Sequence, residues 1–253
     1  MNLRRALWAT RPQTHRLAYY SFLAKKALHP GEAEIENDVE VEYKGTRFIV
    51  PKGFDEVFYS IYLDDLEPLT YRLMTKLTGE VFVDVGANVG GYSVRLGKNF
   101  RRVISVEPNP RAADALRRNV ELNHLSNVQV VQKAISDTTG ETIMSVPSSG
   151  KTTRSSIVEE YNHGSSFSVH TSTLDNLLGE YDRIDLVKVD AEGAEVRVLR
   201  GAENTLRKTS RLVLETGSWS ERDIREILDR NGFKISDLDL KVSEGKNVLA
   251  TRL

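Results

Sequence analysis

The chain reads as an α/β protein with a mostly parallel seven-stranded sheet that ends in an antiparallel hairpin and is preceded by a helical and β-hairpin extension. Three observations predict this. The apolar run Val81-Phe82-Val83 passes through Asp84 and Val85 into glycines at 86, 90 and 91, the pattern of a buried parallel strand turning tightly into a helix. Apolar strand segments then alternate with helical stretches as far as residue 231, which gives parallel pairing with right-handed crossovers. The last two strand segments are joined by the polar stretch Asp237 to Asn247 with no helix between them, so they pair antiparallel.

The elements follow in order. Glu40-Val41-Glu42-Tyr43 and Arg47-Phe48-Ile49-Val50 alternate about Lys44-Gly45, a β-hairpin closed by Pro51 and Gly53. Asp64 or Asp65 is expected to cap a helix with Pro68 in its first turn and Leu69, Leu73 and Leu77 on one face, stopped by Gly79. That helix is expected to cover the pocket at the strand ends, line access to it or close one sheet edge. The first core strand ends at Val85 and the second, Val103 to Val106, at Glu107. A helix from Pro110 to Asn123 turns Ala112, Ala115, Leu116 and Val120 inward. Strand three spans Val128 to Ile135 and strand four Ile184 to Val189. A helix from Glu195 to Lys208, a fifth strand from Arg211 to Glu215 and a helix from Glu221 to Asn231 stopped by Gly232 follow. Phe233 to Ser236 and Val248 to Thr251 close the sheet. Between strands three and four, Thr142 to Val146 and Phe167 to Thr173 read as strands around Ser148 to Ser156 and a His163-Gly164 turn. An insertion this long inside a domain is usually functional or disordered; its place near the strand ends suits an acceptor-recognition flap. Asp175 is expected to cap a short helix from Asn176 to Leu178. The domain division is 1–78 for the extension and 79–253 for the α/β domain.

The turn after strand one selects among nucleoside ligands. From Gly86 to Glu107 is 21 residues, close to the ~20 that place an acid on ribose hydroxyls. A pyrophosphate needs G-x-G-x-x-G at a helix N-terminus. Here Asp84 precedes the first glycine, and a carboxylate there repels pyrophosphate but suits a ligand carrying an amino group and a sulfonium. S-adenosyl-L-methionine is therefore favoured over NAD.

Asp84-Val85-Gly86-Ala87-Asn88-Val89-Gly90-Gly91-Tyr92-Ser93, then Glu107-Pro108-Asn109, then Leu186-Val187-Lys188-Val189-Asp190-Ala191-Glu192-Gly193-Ala194-Glu195 with Leu199-Arg200-Gly201-Ala202, resembles the FkbM family of S-adenosylmethionine-dependent methyltransferases. The resemblance runs from about Glu80 to Glu215. It implies a Rossmann-like class I methyltransferase fold and, most commonly, methyl transfer to an oxygen of a small molecule or glycan; it does not name the acceptor.

On this reading Asp84 and the backbone of Gly86, Asn88 and Gly90 hold the methionine part, with Ala87, Tyr92 and Ser93 alongside. Glu107 accepts the ribose hydroxyls, with Pro108 and Asn109 at its border, and adenine lies against Ala134 and Ile135. Asp137 meets the exocyclic amine or makes a turn with Thr138 and Gly140. Asp190, Glu192 and Gly193 face the sulfonium methyl. A hydroxyl acceptor needs a base, and a carboxylate qualifies when neighbours raise its pKa. Asp190 is the first choice and Glu192 the next, with Glu215 in the same pocket and Lys188 as charge partner or electrostatic aid. Grouped carboxylates can also hold Mg²⁺; no histidine accompanies them, the acids have Lys188 or Arg197 as partners, and no metal ligand is assigned.

Composition bounds the function. The 253 residues contain 40% hydrophobic and 28% charged residues, those of a soluble globular protein. Cysteine is absent, which excludes disulfides, thiolate metal sites and a thiol nucleophile. Leu17 to Ala24 is too short and polar for a signal-peptide core, so a cytoplasmic enzyme is expected. Through Gly31 there are six basic and no acidic residues, so the remainder of the 35 basic and 36 acidic groups has an excess of seven acids. An acidic body argues against a nucleic-acid substrate. The basic start, with Leu17, Tyr20, Ala24 and Leu28 on one stripe, suits either peripheral membrane contact or docking on the protein's own acidic surface. The acceptor expected is a small molecule, glycan or lipid, and the oligomeric state is left open. RNA or protein methylation, and a non-catalytic S-adenosylmethionine-binding role, are the competing readings. Asp190-Ala191-Glu192-Gly193 stands where base-amino methylation usually has Asn/Asp-Pro-Pro-aromatic, and Asp84 and Glu107 are both retained.

Overall fold

A computed structural model of the chain describes residues 37–54, 67–147, 164–217, 219–240 and 245–253. The basic segment through Gly31, Asp64, Asp65, the Ser148 to Ser156 stretch and His163 lie outside these residues.

The first pair of strands is the expected hairpin, β1 (Val39–Tyr43) and β2 (Thr46–Val50). Lys44 and Gly45 both take positive φ, 50° and 77°, the backbone a tight two-residue β-turn demands. The next elements are α1 (Pro68–Met74), β3 (Gly79–Val85), α2 (Ser93–Leu96), β4 (Phe100–Val106) and α3 (Pro110–Leu122). They are followed by β5 (Val128–Val131), β6 (Ala134–Ile135), β7 (Gly140–Pro147), β8 (Gly164–Ser172) and α4 (Leu174–Leu177). The chain ends with β9 (Leu186–Val189), α5 (Glu195–Arg200), α6 (Glu203–Arg207), β10 (Arg211–Gly217), α7 (Glu221–Arg230), β11 (Phe233–Leu240) and β12 (Gly245–Arg252).

Seven strands form the main sheet in the order β11-β12-β10-β9-β3-β4-β5. β10, β9, β3, β4 and β5 run parallel, and β12 is antiparallel to both β10 and β11. The order reverses between β9 and β3, so the C-terminal ends of β3, β9 and β4 border the crevice where such sheets bind ligands. One face packs Val83, Val187, Leu214 and Val198 into the largest core. The other packs Phe82, Val103, Leu186 and Val213 against Met74, Tyr92 and Leu96.

Several expected boundaries move. Strand three divides: Val128 to Val131 stays in the main sheet, while Ala134 and Ile135 join β8 and β7 in a separate three-stranded sheet. The division falls where the Glu107 N–H takes the Val131 carbonyl at 3.0 Å and the Ser136 N–H takes that of Ser172 at 2.9 Å. The long helix expected from Glu195 to Lys208 is two, α5 and α6. Gly201 lies between them with its Cβ position 2.3 Å from the Ser136 carbonyl, so no side chain fits. Helix α1 has Pro68 at its first position, with Glu67 rather than Asp64 or Asp65 before it, and ends at Met74, short of Gly79; it buries Thr70 and Met74, while Leu69 is 53% exposed. Thr173, not Asp175, caps α4 through a 3.0 Å bond from the Asn176 N–H. Asp175 instead accepts from the N–H groups of Asn204 and Thr205 at 3.0 and 2.7 Å, capping α6. Burial opposes its charge, but those bonds hold the carboxyl below its ordinary range.

Candidate functional site

Strand alternation carries the site. Asp84 pairs with Lys188 across β3 and β9 and with Ser105 across β3 and β4, and Lys188 pairs with Val213 on β10. Residues in register share a face, so these groups form a row one residue-pair short of the strand ends, above Phe82, Leu186 and Val103. Asp84 is buried, and its Oδ2 accepts from the Ser93 N–H at 3.0 Å and the Ser93 hydroxyl at 2.5 Å. Ser105 supports Ser93 through a 2.7 Å hydroxyl contact. The other oxygen, Oδ1, is buried without a hydrogen-bond partner among the described residues, as is Asn88 Oδ1. Two buried acceptors left in this way cost free energy and match a ligand ammonium. The chemistry of the donor set thus fits the methionine amino group of S-adenosylmethionine.

Lys188 is the counter-charge. Its Nζ meets Asp190 Oδ2 at 3.0 Å and stands 5.1 Å from the centre of the Tyr92 ring. Burial works against its charge, but Asp190, Asp84 and Glu67 outweigh it and raise its pKa, so it remains an ammonium. Tyr92 donates its hydroxyl to Glu67 Oε2 at 2.9 Å. Burial, then the Glu67 charge, push that phenol well above its usual pKa. Asp84, against its own burial, has Lys188 and Ser93 to offset the desolvation, and its carboxyl is still raised.

The glycine turn works differently from the expectation. The N–H groups of Gly86 and Ala87 donate to the Val106 carbonyl at 2.9 and 3.1 Å, that of Gly90 to Ala87 at 2.8 Å and that of Asn88 to Glu107 Oε2 at 2.8 Å. These four amides are engaged within the protein, and Gly86 and Gly90 serve close packing. With φ of 77°, Gly86 has its Cβ position 1.8 Å from the Asp190 carbonyl oxygen. β9's end is thereby drawn against the turn.

Glu107 is buried, with the Asn109 N–H on Oε1 at 2.9 Å and the Asn88 N–H on Oε2. Each oxygen keeps capacity for a further donor, which fits two ribose hydroxyls. Burial pushes its pKa up to about 7, against those two bonds. Pro108 is half-buried. Asn109 caps α3 through the Arg111 N–H at 3.0 Å, so its side chain belongs to the helix. Ala87 is buried in the core shared with the hairpin. Ala134 packs with Met144 and Val169, and Ile135 enters the largest core; their side chains serve the two sheets' packing. Asp137 is exposed beside Ser136, whose hydroxyl donates to it at 3.0 Å.

Of the expected base candidates, Asp190 stands in the cluster. Glu192 is exposed at the crest of the following turn with φ of 48°. Glu215 lies on β10 on the face of Val213, in register with the buried Asn247. Glu195 and Glu67 were not anticipated. Glu195 is buried at the start of α5 and accepts from the N–H groups of Ala191 and Gly193 at 3.0 and 3.1 Å. It fixes the turn that carries Asp190; an acid in a helix's first turn, two residues after a glycine, was the signal available. Glu67 carried no such signal, its partner being 25 residues away. Among the described residues no three acidic or histidine side chains are grouped as metal ligands, and no helix is long and apolar enough to cross a membrane.

Residues 84–235 match the family model for the methyltransferase FkbM domain. Methyltransferase sdnD of Sordaria araneosa is 28% identical over 217 residues, 70% of this chain and 82% of that protein. The 2-O-methyltransferase NoeI of Sinorhizobium fredii is 31% identical, covering 58% of this chain and 65% of its own. The hexuronic acid methyltransferase AglP of Haloferax volcanii is 27% identical over 59% of this chain and 61% of its own. Among solved structures, methyltransferase FkbM from Methylobacillus flagellatus superposes with a TM-score of 0.50 at 18% identity, over 79% of this chain and 55% of that one. This likeness shows the fold. The family model spans more than half of the chain, from the acid that anchors the buried row to the start of β11, and the chain belongs to the FkbM family of S-adenosylmethionine-dependent methyltransferases.

Proposed function

We propose that this methyltransferase methylates a hydroxyl oxygen of a small molecule, sugar or glycan, or lipid, with Asp190 as the base. The observation that carries the reading is the place of Asp190 directly after β9, next to the buried row of Asp84 and Lys188, where the 3.0 Å contact with Lys188 orients its carboxylate. When bound, S-adenosylmethionine supplies an electrophilic methyl group on sulfur. Asp84 and Asn88 would hold its ammonium, and Glu107 its ribose hydroxyls. Lys188 fixes the Asp190 carboxylate by taking Oδ2, while Glu195 fixes the backbone that bears it. The acceptor's hydroxyl gives its proton to an Asp190 carboxylate oxygen, and Lys188 balances the charge that this proton exchange shifts. Glu192 and Glu215 stand as further acids near the acceptor's approach. Positioning of the two reactants contributes about 7–11 kcal/mol when the geometry approaches attack, and general base catalysis about 100-fold or more.

The names of two relatives support oxygen as the target: NoeI is a 2-O-methyltransferase and AglP acts on a hexuronic acid. Asp190-Ala191-Glu192-Gly193 in place of an Asn/Asp-Pro-Pro-aromatic turn supports the same choice. Calorimetry with S-adenosylmethionine, followed by tritiated-methyl transfer into cell extract fractionated into small molecules, glycan, lipid, protein and RNA, tests it. Label is expected in a hydroxyl-bearing small-molecule, glycan or lipid fraction, and Asp190→Asn is expected to lower kcat about 100-fold at saturating cofactor. Label found only in RNA overturns the acceptor class; undiminished turnover by Asp190→Asn removes it as the base.

A further inference from the structure

Beyond the acid row, β10 carries a surface that the methyl-donor site does not use. Val213, Glu215 and Gly217 alternate on the face of β10 that continues the Lys188 and Asp84 row. The Cβ position of Gly217 lies 2.7–2.9 Å from three atoms of the Trp219 indole. The indole therefore occupies the place that a side chain at 217 would take, on that same face, just past the strand's end. It is 64% exposed. On either side of it, the Ser220 N–H donates to the Gly217 carbonyl at 3.1 Å and the Gly217 N–H to the Ser220 hydroxyl at 3.1 Å. In register with Glu215 on the neighbouring strand β12, Asn247 is 3% exposed and its Nδ2 is buried without a hydrogen-bond partner among the described residues.

We propose that Trp219, Glu215 and Asn247 form the acceptor subsite, and that the acceptor it takes is a saccharide ring; this rests on the hydroxyl-methylation reading above. A sugar has an apolar C–H face and a rim of hydroxyls. An exposed indole suits the face, and a carboxylate with an amide suits the rim, the amide supplying the donor that Asn247 has in excess. A lipid tail would meet one aromatic ring beside a polar floor. A phosphate backbone would meet Glu215 and Asp190, while Lys246, the residue before Asn247, is held by Glu221 at 2.8 Å and Asp237 at 3.0 Å.

The test is methyl transfer into the glycan and free-sugar fractions of a cell extract by the full chain, titrated with increasing amounts of the fraction. Trp219→Ala and Trp219→Leu are expected to raise the half-saturating amount about tenfold or more, with the plateau rate within about threefold of the parent. Trp219→Phe, which keeps an aromatic face, is expected to stay within about threefold throughout. Calorimetric affinity for S-adenosylmethionine and the melting temperature are expected to be unchanged in all three. Trp219→Ala and Trp219→Leu that titrate like the parent overturn the subsite. Label entering lipid alone overturns the saccharide and leaves hydroxyl methylation standing. Failure of the parent chain to bind S-adenosylmethionine, or label confined to RNA or protein, overturns the underlying reading and this inference together.

Discussion

Asp84, Glu107, Lys188 and Asp190 were legible as chemistry because each ends or nearly ends a core strand, where position alone brings side chains together. What the spacing left open was their electrostatic state. Glu107 is the informative case: burial lifts its pKa from an ordinary 4.5 to about 7. Because the raised group is an acid, the folded ligand-free protein binds more protons than the unfolded chain between about pH 4.5 and 7. Its stability therefore falls as pH rises through that window. Cofactor affinity moves the opposite way if the ribose hydroxyls need an ionised acceptor. The ionised fraction goes from roughly a tenth at pH 6 to nine-tenths at pH 8, so calorimetry is expected to show S-adenosylmethionine binding about tenfold tighter at pH 8, and Glu107→Gln is expected to bind weakly with a flat profile. A parent protein whose Kd is constant from pH 6 to 8 contradicts this. Glu67 shows the limit of residue-level reading. Its charge acts on Lys188 and its carboxylate on Tyr92, yet nothing local to Glu67-Pro68 announces contacts made by folding alone.

Elements were legible where a short-range signal decides them and less so where packing does. The Lys44-Gly45 hairpin and the Pro110 helix start carry their own turn and cap chemistry, and both form as expected. The break at Gly201 and the departure of Ala134 and Ile135 from strand three depend on where Ser136 and Ser172 meet, a contact between segments more than thirty residues apart. The turn after β9 is the functional instance. Glu192 and Gly193 take φ of 48° and 95°, a conformation that costs a non-glycine residue of order 1 kcal/mol or more. Glu195 offsets this by accepting two turn N–H groups. Glu195→Ala leaves those donors without their acceptor, at about 1–3 kcal/mol, and loosens the backbone that aims Asp190. The expected result is kcat lowered about tenfold or more with a melting temperature lowered by several degrees, while Glu195→Gln, which keeps an acceptor oxygen, retains most of the rate. An alanine variant with parental kcat would show that the turn holds its shape without the acid.

Across the whole molecule, the N-terminal hairpin is joined to the catalytic sheet by one continuous core. Val41, Tyr43, Phe48, Val50 and Phe54 pack with Ala87 and Val89 of the glycine turn and with Ala112, Ala115 and Leu116 of α3. Two asparagines one helical turn apart clamp the edge of β2. Asn119 Oδ1 accepts from the Ile49 N–H at 2.6 Å and its Nδ2 donates to the carbonyls of Ile49 and Val89 at 3.2 and 2.9 Å. Asn123 Oδ1 accepts from the Arg47 N–H at 3.0 Å and Nδ2 donates to the Arg47 carbonyl at 2.7 Å. Asn119 thus holds the hairpin and the cofactor turn at once, a link that the helix's apolar periodicity conceals because only the inward apolar positions repeat. Phe48 is fully buried in this core, with the Arg95 guanidinium 4.7 Å from its ring centre. Phe48→Ala is expected to cost about 3–5 kcal/mol, which for a protein of this size lowers the melting temperature by about 10 °C. Because the core is shared, the loss appears in the single main unfolding transition, and affinity for S-adenosylmethionine falls with it as Val89 loosens. A variant that keeps the parental main transition and parental cofactor affinity would mean that the hairpin is an appendage whose packing contributes nothing to the sheet or to the turn at Asp84.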